Sequence, residues 1–450
     1  MTALAMAPST DNGMREIAHG AVKVALAKGA AQAAVRAYRV RDVSVQWRDG
    51  KLEQINESTT RGVGLQLYVD GRYSAVSTSD LRPEALDGFI GDSVAMTRTL
   101  VKDPFRSLPE PALYEGQAAV DLKLEDPAYA TVTPETRRRL ARELEEAARA
   151  VPGNDAILSV TTGFNDTRGE VLRVASNGFE GGRVDTSFWT SAQVTVKDGD
   201  GRRPEDWSAA GVRFVGELPP VAEVGRQAAR RALARIGSTK ADSAVLPMAV
   251  DNRAAGRLVS ALLGSLGGQA IQQKRSFLDG KLGTVVGSEK LTLADDPLVV
   301  KGFASRLFDG EGLAARRRPV FERGVLKTYF IDTYYGRKLV VAPTTGGSSN
   351  GAWALGEKSQ AALLADMKDG ILVTGFLGGN SNGLTGDFSF GVQGYRVRGG
   401  AIAEPVGEMN ISGNQTDLWK RLIAVGNDPY PYSPGRTPTL VFDGVQFAGS

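Results

Sequence analysis

The sequence VGLQLYVDGRY, at residues 63–73, alternates apolar and polar side chains and then turns at an Asp-Gly pair. Alternation with a period of two is typical of a half-buried strand. An Asp-Gly pair between two such runs predicts a tight antiparallel hairpin. Residues 43–50 show the same alternation and also end in Asp-Gly. Residues 34–78 are therefore predicted to form an antiparallel meander.

Helices are predicted before and after this meander and again later in the chain. Thr133 and Pro134 are a capping residue and a proline at the first helical position. The periodicity predicts helices near residues 13–28, 83–101, 134–150, 221–236, 251–266, 358–369 and 415–425. Most of the chain beyond about residue 300 is strand-like. Because helices and antiparallel strands are segregated, we predict an α+β fold, with an N-terminal antiparallel meander and helices followed by a β-rich C-terminal domain.

The length of 450 residues predicts two or three domains. The segment 104–134 is rich in proline and acidic residues and is interpreted as a linker and a boundary. The prediction is an N-terminal α+β domain (1–103), a middle α+β domain (104–240) and a C-terminal β-rich domain (241–450).

The charge balance does not indicate a nucleic-acid-binding protein. Lys and Arg total 54 and Asp and Glu total 51, giving a net charge of +3. The arginine runs 137–139 and 316–318 are interpreted as a solvated helix face and an exposed loop. No stretch reaches the roughly 18 apolar residues of a membrane span, and the first residues contain no basic leader. A cytoplasmic protein that binds neither membrane nor nucleic acid is expected.

The supply of metal ligands is unusually small. The chain has one histidine, His19, and no cysteine. A catalytic zinc usually takes three protein ligands, drawn mainly from His and Cys. A site made almost wholly of carboxylates suits magnesium or calcium better. His19 lies in a short amphipathic segment and is interpreted as a surface or core-edge residue.

Two further motif matches do not predict a catalytic or nucleotide site. Ser349 and Ser381 each fit G-x-S-x-G, but no helix is predicted to begin at either serine, so neither resembles a nucleophile elbow. The glycine-rich segment 377–387 lacks G-x-x-x-x-G-K-[ST] and does not follow the first strand of a βαβ unit. Tight turns are predicted there, with Asn and Asp tolerating left-handed backbone.

The same glycine-rich region resembles the TldD/PmbA family, in which PmbA is also called TldE. The resemblance is carried by GFLGGNSNGLTGDFS (375–389), GVQGY (391–395), GAIAEPV (400–406), NISGN (410–414) and VGND (425–428). Upstream, the similar segments are GKLEQ (50–54), RGVGL (61–65), GFAS (302–305), FDGEG (308–312) and YYGRKL (334–339). The resemblance covers most of the chain and is most specific in its C-terminal half.

The family comes in two kinds. The TldD kind carries a zinc-binding H-E-x-x-x-H helix, whereas the PmbA kind lacks it and pairs with TldD. The resemblance places Asn252 and Arg257 at the histidine positions and Arg253 at the glutamate position. Neither asparagine nor a permanently charged arginine replaces a neutral imidazole, and arginine cannot act as the general base. The resemblance thus implies a PmbA-like chain with no catalytic or metal-binding residues of its own, and with zinc in the partner.

The resemblance also implies a function. It suggests a non-catalytic subunit that pairs with a TldD-like chain as a heterodimer and encloses a chamber where small or unfolded peptides are degraded or processed. Candidate peptide- or partner-binding residues lie in the glycine-rich segment: Asn380, Asn382, Thr385 and Asp387. Arg253 or Arg257 could meet a peptide carboxylate, or could lie on the solvent face of their helix.

Two alternatives stay open at this point. The chain could be a homodimeric scaffold that binds peptides without cutting them. It could also be an autonomous hydrolase that uses carboxylates and a metal other than zinc. Metal analysis of the purified protein separates the last reading from the others, and a neighbouring reading frame with H-E-x-x-x-H would favour the heterodimer.

Overall fold

The computed structural model describes residues 12–449, and its N-terminal half is built on one antiparallel sheet. The sheet has six strands in the order β3-β2-β1-β4-β5-β6. Their bounds are β1 (Gln32–Arg48), β2 (Lys51–Val69), β3 (Arg72–Thr78), β4 (Ile157–Ala175), β5 (Glu180–Val196) and β6 (Glu205–Val212). Because β1 pairs with β4 along most of its length, residues before and after the segment 104–134 share one sheet.

Four helices cover one face of this sheet. They are α1 (Asn12–Ala27), α2 (Pro83–Thr97), α3 (Pro134–Arg149) and α4 (Val221–Leu233). Helices α1 and α2 pack on one end of the face, where Val63, Leu65, Leu67 and Val69 are almost completely buried. Helices α3 and α4 pack on the other end, around β4, β5 and β6. The alternation at residues 63–69 therefore reflects one buried face, and the predicted meander is confirmed.

The C-terminal half is dominated by a second sheet that closes on itself. Its order is β14-β13-β12-β7-β16-β15, and an additional pairing between β14 and β16 completes a barrel. The strands are β7 (Ala244–Val250), β12 (Gly370–Ser381), β13 (Asp387–Arg398), β14 (Ala401–Asn414), β15 (Leu422–Val425) and β16 (Leu440–Ala448). Helix α5 (Asn252–Gly264) follows β7 and packs its apolar face into the core that contains Trp419 and Phe442.

A smaller antiparallel sheet and four short helices complete this half. The sheet contains β8 (Leu293–Asp296), β9 (Arg318–Glu322), β10 (Val325–Leu326) and β11 (Asn350–Trp353). The helices are α6 (Gly268–Gln272), α7 (Thr333–Leu339), α8 (Gln360–Met367) and α9 (Gln415–Lys420). The predicted α+β class with a β-rich C-terminal domain is confirmed. No helix within residues 12–449 is long and apolar enough to cross a membrane.

The segment 104–134 is packed against both halves and does not form a free linker. Tyr114 is buried and stacks obliquely on Phe179, with ring centres 4.8 Å apart. Arg337, on α7, donates to the carbonyl oxygens of Phe105, Ser107 and Leu108 at 2.8–3.1 Å. The segment 104–134 has irregular backbone, as its proline content suggests, but these contacts hold it in one position.

Two local predictions are wrong in detail. The arginine run 137–139 is not uniformly solvated. Arg137 is 3% exposed and donates from Nε and Nη2 to the buried carboxylate of Asp166, at 2.5 and 3.0 Å. In the second run, Arg318 begins β9 and is half-buried.

Candidate functional site at the start of helix α5

The turn from β7 into α5 is fixed by Asp251. Its Oδ1 accepts the backbone N–H of Arg253 at 2.9 Å, which caps the helix. Its Oδ2 accepts from the Gln360 side chain at 3.3 Å. Because β7 is held between β12 and β16, the first turn of α5 has a fixed position at the end of the barrel.

Asn252 faces the C-terminal loop. Its Nδ2 donates to the carbonyl oxygen of Asp428 at 2.7 Å. The carboxylate of Asp428 in turn accepts from the backbone N–H and the hydroxyl of Thr439, at 3.1 and 2.7 Å. The side chain at the first histidine position is therefore already used as a hydrogen-bond donor within the chain.

Arg253 connects α5 to the N-terminal sheet. Its Nη2 donates to the carbonyl oxygen of Trp207 at 2.7 Å, and its guanidinium lies 4.4 Å from the centre of the Trp207 ring. Its Nε and Nη1 are buried and have no hydrogen-bond partner in the described chain. Burial, and then the nearby charge of Arg231, lower the pKa of Arg253 from its ordinary value. The side chain at the glutamate position is thus a cation that packs on a tryptophan.

Arg257 lies one turn further along α5 and is exposed. Its Nη2 donates to the carbonyl oxygen of Gly379 at 3.2 Å, and its guanidinium lies 5.5 Å from the Phe390 ring. Gly379 belongs to β12, in the glycine-rich segment. The structure therefore brings Arg257 together with the strand that carries Asn380.

The other predicted residues of this segment lie at the turn between β12 and β13. The Oδ1 of Asn382 accepts the backbone N–H of Leu384 at 2.9 Å. The Asp387 carboxylate accepts from the Thr385 hydroxyl at 2.6 Å and from Nδ2 of Asn414 at 3.0 Å. These two hydrogen bonds lower the pKa of Asp387. The turn is ordered by its own side chains, whereas Asn380 is exposed on the strand.

These residues do not fit a zinc ion. An amide that is already donating and two guanidinium groups offer no imidazole or thiolate lone pair. Within residues 12–449, no three His, Cys, Asp or Glu side chains lie together as a metal-binding group. His19 is on α1, where its Nε2 lies 3.0 Å from the Glu180 carboxylate. The three α5 positions thus offer no donor set for the zinc that the sequence resemblance implies for the family.

The two serines in G-x-S-x-G matches are also engaged elsewhere. Ser349 is buried, and its hydroxyl donates to Asp295 at 2.7 Å. The hydroxyl of Ser381, at the end of β12, accepts from the Gln415 side chain at 3.4 Å. Because His19 pairs with Glu180, neither serine has an imidazole beside it.

Two residues of this region were not found by sequence reasoning. Trp207 and Asp428 contact α5 from 46 and 176 residues away along the chain. Trp207 gave no local signal, since an exposed tryptophan on a strand is not unusual. Asp428 lies in the segment VGND, so its resemblance to the family was visible but its contact with Asn252 was not.

Comparison with known proteins gives consistent matches over most of the chain. Models described as PmbA/TldA metallopeptidase domain 1, central domain and C-terminal domain match residues 33–97, 127–236 and 243–449. "Metalloprotease PmbA" of Escherichia coli O157:H7 is 31% identical over 442 residues, covering 97% of each chain. A Haemophilus influenzae "Metalloprotease PmbA homolog" is 27% identical, covering 99% of this chain and 98% of its own.

Solved structures show the same fold. A Bacteroides thetaiotaomicron protein, described as a candidate modulator of DNA gyrase, is 39% identical with a TM-score of 0.94, covering 98% of this chain and 100% of its own. TldE from Thermococcus kodakarensis is 18% identical with a TM-score of 0.83, covering 96% of this chain and 100% of its own. At that level of identity, the second likeness supports the fold alone.

Proposed function

Because this chain belongs to the PmbA/TldD metallopeptidase family, we propose that it is the non-catalytic subunit of a cytoplasmic zinc metallopeptidase. The partner is a TldD-like chain that carries H-E-x-x-x-H and holds the zinc. The pair degrades or processes small or unfolded peptides. This chain contributes a wall of the chamber and the residues that hold an extended peptide.

This proposal rests on one observation. At the α5 positions that the resemblance aligns with the zinc motif, the side chains cannot bind zinc and are hydrogen-bonded within this chain. Asn252 donates to Asp428, and Arg253 packs on Trp207. Replacing either side chain by a ligand would also require breaking these contacts. Asn252 and Arg253 therefore stabilise contacts within this chain. Such a role fits a subunit whose partner performs the hydrolysis.

The glycine-rich strand β12 offers a suitable wall for an extended peptide. Strand β12 pairs with β7 at residues 371–373 only, whereas the pairing of β12 with β13 continues as far as Ser381. In the described chain, residues 375–381 thus have a paired strand on one side only. Main-chain groups on such an edge can add a peptide strand and read backbone more than sequence. Arg257, which already contacts Gly379, lies beside this edge and supplies a positive charge for a peptide carboxylate.

The test is co-expression with a TldD-like chain from the same genome. We expect the two chains to copurify, the zinc to follow the partner, and denatured peptides to be cleaved by the pair but not by this chain alone. Zinc-dependent cleavage by the isolated chain would contradict the proposal. So would a partner that is fully active without this chain and does not bind it.

The same experiment separates the alternatives. A homodimeric scaffold would bind peptides without a partner, and would leave them intact in every combination. An Arg257→Ala variant, with Arg230→Ala at an exposed position on α4 as the matched control, then tests the proposed peptide-binding wall. We expect only the first variant to raise the KM of the pair for peptides, with kcat nearly unchanged, because the proposal gives Arg257 a role in peptide binding and assigns the hydrolysis to the partner.

A further inference from the structure

The tripeptide Ser-Asn-Gly occurs three times in the chain, and the three copies lie in different surroundings. They are residues 176–178, 349–351 and 381–383. An asparagine that precedes a glycine can modify itself, because the backbone nitrogen of the glycine can attack the side-chain amide carbon and no Cβ on the glycine hinders the approach. Another Asn-Gly pair, Asn12–Gly13, follows an aspartate and begins α1, so it is not a matched copy. The three matched copies share their local chemistry, and only their surroundings can make them react at different rates.

The copy at Asn177 is held by hydrogen bonds on both reacting groups. Its Nδ2 donates to the carbonyl oxygen of Pro109 at 2.7 Å and to the hydroxyl of Tyr114 at 2.8 Å. The backbone N–H of Gly178 donates to the carbonyl oxygen of Ala175 at 3.1 Å. The leaving amide and the attacking nitrogen would therefore both have to break existing hydrogen bonds before they could react.

The copy at Asn350 is held in the same way and is also buried. Asn350 is 1% exposed, and its Nδ2 donates to the carbonyl oxygen of Asp296 and to the hydroxyl of Ser305, both at 2.9 Å. The backbone N–H of Gly351 donates to the carbonyl oxygen of Pro434 at 2.9 Å. Burial also keeps away the water that the reaction needs.

The copy at Asn382 has neither restraint. It begins the loop between β12 and β13, and both Asn382 and Gly383 are exposed. Among the described residues, nothing accepts a hydrogen bond from Nδ2 of Asn382 or from the backbone N–H of Gly383. The leaving amide and the attacking nitrogen are thus both open to water.

The hydrogen bonds that Asn382 does make favour the reaction. Its Oδ1 accepts the backbone N–H groups of Leu384 and Thr385, at 2.9 and 3.4 Å. Donors aimed at a carbonyl oxygen stabilise the oxyanion that forms when a nucleophile adds to its carbon. The bond to Leu384 also makes an Asx turn, in which the side-chain amide folds back along the residues that follow it. The amide carbon of Asn382 therefore lies on the same side of the chain as the Gly383 nitrogen.

We infer that Asn382–Gly383 is a self-modification site, at which this chain deamidates much faster than at its two matched copies. The Gly383 nitrogen gives its proton to hydroxide and forms a bond to Cγ of Asn382. The bond between Cγ and Nδ2 then breaks, and Nδ2 takes a proton from water and leaves as ammonia. The resulting succinimide ring adds one water molecule and opens at either carbonyl, which yields aspartate or isoaspartate. Water is the only co-reactant.

The modification changes both the charge and the backbone of the loop. Either product adds a carboxylate to the loop that already contains Asp387. Isoaspartate also adds a methylene to the backbone beside the hydrogen bond that Asn382 N–H donates to the carbonyl oxygen of Asp387, at 2.7 Å. The loop follows β12, the strand proposed to hold a peptide. An effect on peptide binding would rest on that proposed function, whereas the reaction itself does not.

The test follows the three sites in the purified chain, kept folded at pH 7 and at pH 9 and then digested for mass spectrometry. We expect Asn382 to convert at least about tenfold faster than Asn177 and Asn350, because several hydrogen bonds protect each of those two. Conversion at Asn382 should be faster at pH 9, since the attacking nitrogen must first lose its proton. In the urea-unfolded chain all three sites should react at similar rates.

Two results of this comparison would overturn the inference. One is a similar rate at all three sites in the folded chain. The other is an Asn382 that stays intact in the folded chain although it reacts in urea, since the loop would then protect it as well as the other surroundings protect Asn177 and Asn350.

A variant of the glycine tests the attacking atom. Gly383→Ala should slow conversion at Asn382 by about tenfold, because a Cβ hinders the approach of the nitrogen. The new Cβ would lie no closer than 3.8 Å to any atom, so the loop should keep its structure. Gly216→Ala, where a Cβ has no atom within 4 Å, is the matched control and should leave the rate unchanged. Equal rates in the two variants would count against attack by the Gly383 nitrogen and would end the proposal.

A third variant tests why Asn177 is protected. Tyr114→Phe keeps the buried ring and removes the hydroxyl that accepts from Nδ2 of Asn177. We expect conversion at Asn177 to rise by roughly threefold to tenfold, while the rate at Asn382 stays the same. An unchanged rate at Asn177 would show that hydrogen bonding does not select among the three copies, and the inference would fail.

Discussion

The guanidinium of Arg253 lies 4.4 Å from the centre of the Trp207 ring, and its Nη2 donates to the carbonyl oxygen of the same residue at 2.7 Å. This contact joins the first turn of α5, in the barrel half, to β6, at the edge of the N-terminal sheet. By the sequence resemblance alone, this tethered cation occupies the position of the glutamate in the zinc motif of the TldD kind. Arg253 is thus part of the interface between the barrel half and the N-terminal sheet.

The contribution of the ring can be measured by a double-mutant cycle of Arg253→Met and Trp207→Leu. The backbone hydrogen bond survives the change at Trp207, so the cycle isolates the cation–π contact. We expect a coupling energy of about 1 kcal/mol in urea unfolding. Trp207→Phe is the control. It keeps an aromatic ring, so it should lose less stability than Trp207→Leu. A coupling energy near zero would mean that the ring does not stabilise the cation.

The sequence predicted local elements better than their long-range contacts. The alternation at residues 63–69 and the Thr133 cap of α3 each depend on a few neighbouring side chains, and both predictions were correct. The pairing of β1 with β4 joins residues more than a hundred positions apart, and no local pattern specifies it. Arg137 was interpreted as solvated because arginine usually is. Its burial depends on Asp166, which the helix pattern could not reveal.

The candidate site divides in the same way. The register that put Asn252, Arg253 and Arg257 at the family's zinc positions came from sequence resemblance, and the structure shows all three at the start of α5. What each side chain contacts could not be predicted, because Asp428, Trp207 and Gly379 come from three separate elements. The role of these residues in binding peptides stays a prediction.

The buried pair of Arg137 and Asp166 gives a second prediction. Both side chains are at most 3% exposed, so removing Arg137 leaves a carboxylate in the interior without its cation. We expect Arg137→Met to lower the free energy of unfolding by roughly 3–5 kcal/mol. The double variant Arg137→Met with Asp166→Leu should lose less stability than Arg137→Met alone, because no unpaired charge is then left in the interior. Arg138→Met, at the next and exposed position, should change stability by less than about 0.5 kcal/mol.

The close approach of α3 and α4 gives a third prediction. A Cβ atom on Gly225 would lie 2.1 Å from the carbonyl oxygen of Leu144, which is backbone and cannot move away cheaply. We expect Gly225→Ala to destabilise the protein by roughly 1–3 kcal/mol. Gly20→Ala, in helix α1, is the matched control. A Cβ there has no atom within 4 Å, so the change should stabilise by about 0.5–1 kcal/mol. Equal effects of the two changes would show that the helices can separate without loss.

The last prediction concerns pH and Glu311, which joins the β8–β9 loop to α7. Its carboxylate accepts the backbone N–H and the hydroxyl of Thr333, at 2.8 and 2.6 Å. Burial raises the pKa of Glu311 above its ordinary value of 4.5, the nearby charges of Asp332 and Asp309 add to the increase, and the Thr333 hydrogen bonds oppose it. Since the folded pKa is the higher one, the native state binds this proton more tightly than the unfolded state does. The stability that it contributes is present below pH 4.5 and is lost as pH rises through the folded pKa.

Glu311→Gln removes this titration and keeps a side chain of the same shape. We therefore expect the unfolding free energy of the variant, relative to the unmodified protein, to improve as pH is raised from 4 towards 7. The measurement is urea unfolding at several pH values, and the trend, rather than the offset at one pH, carries the test. Glu322→Gln, at an exposed position on β9, controls for the loss of one negative charge. A difference that stays constant with pH, or that moves in the opposite direction, would show that burial does not govern the ionisation of Glu311.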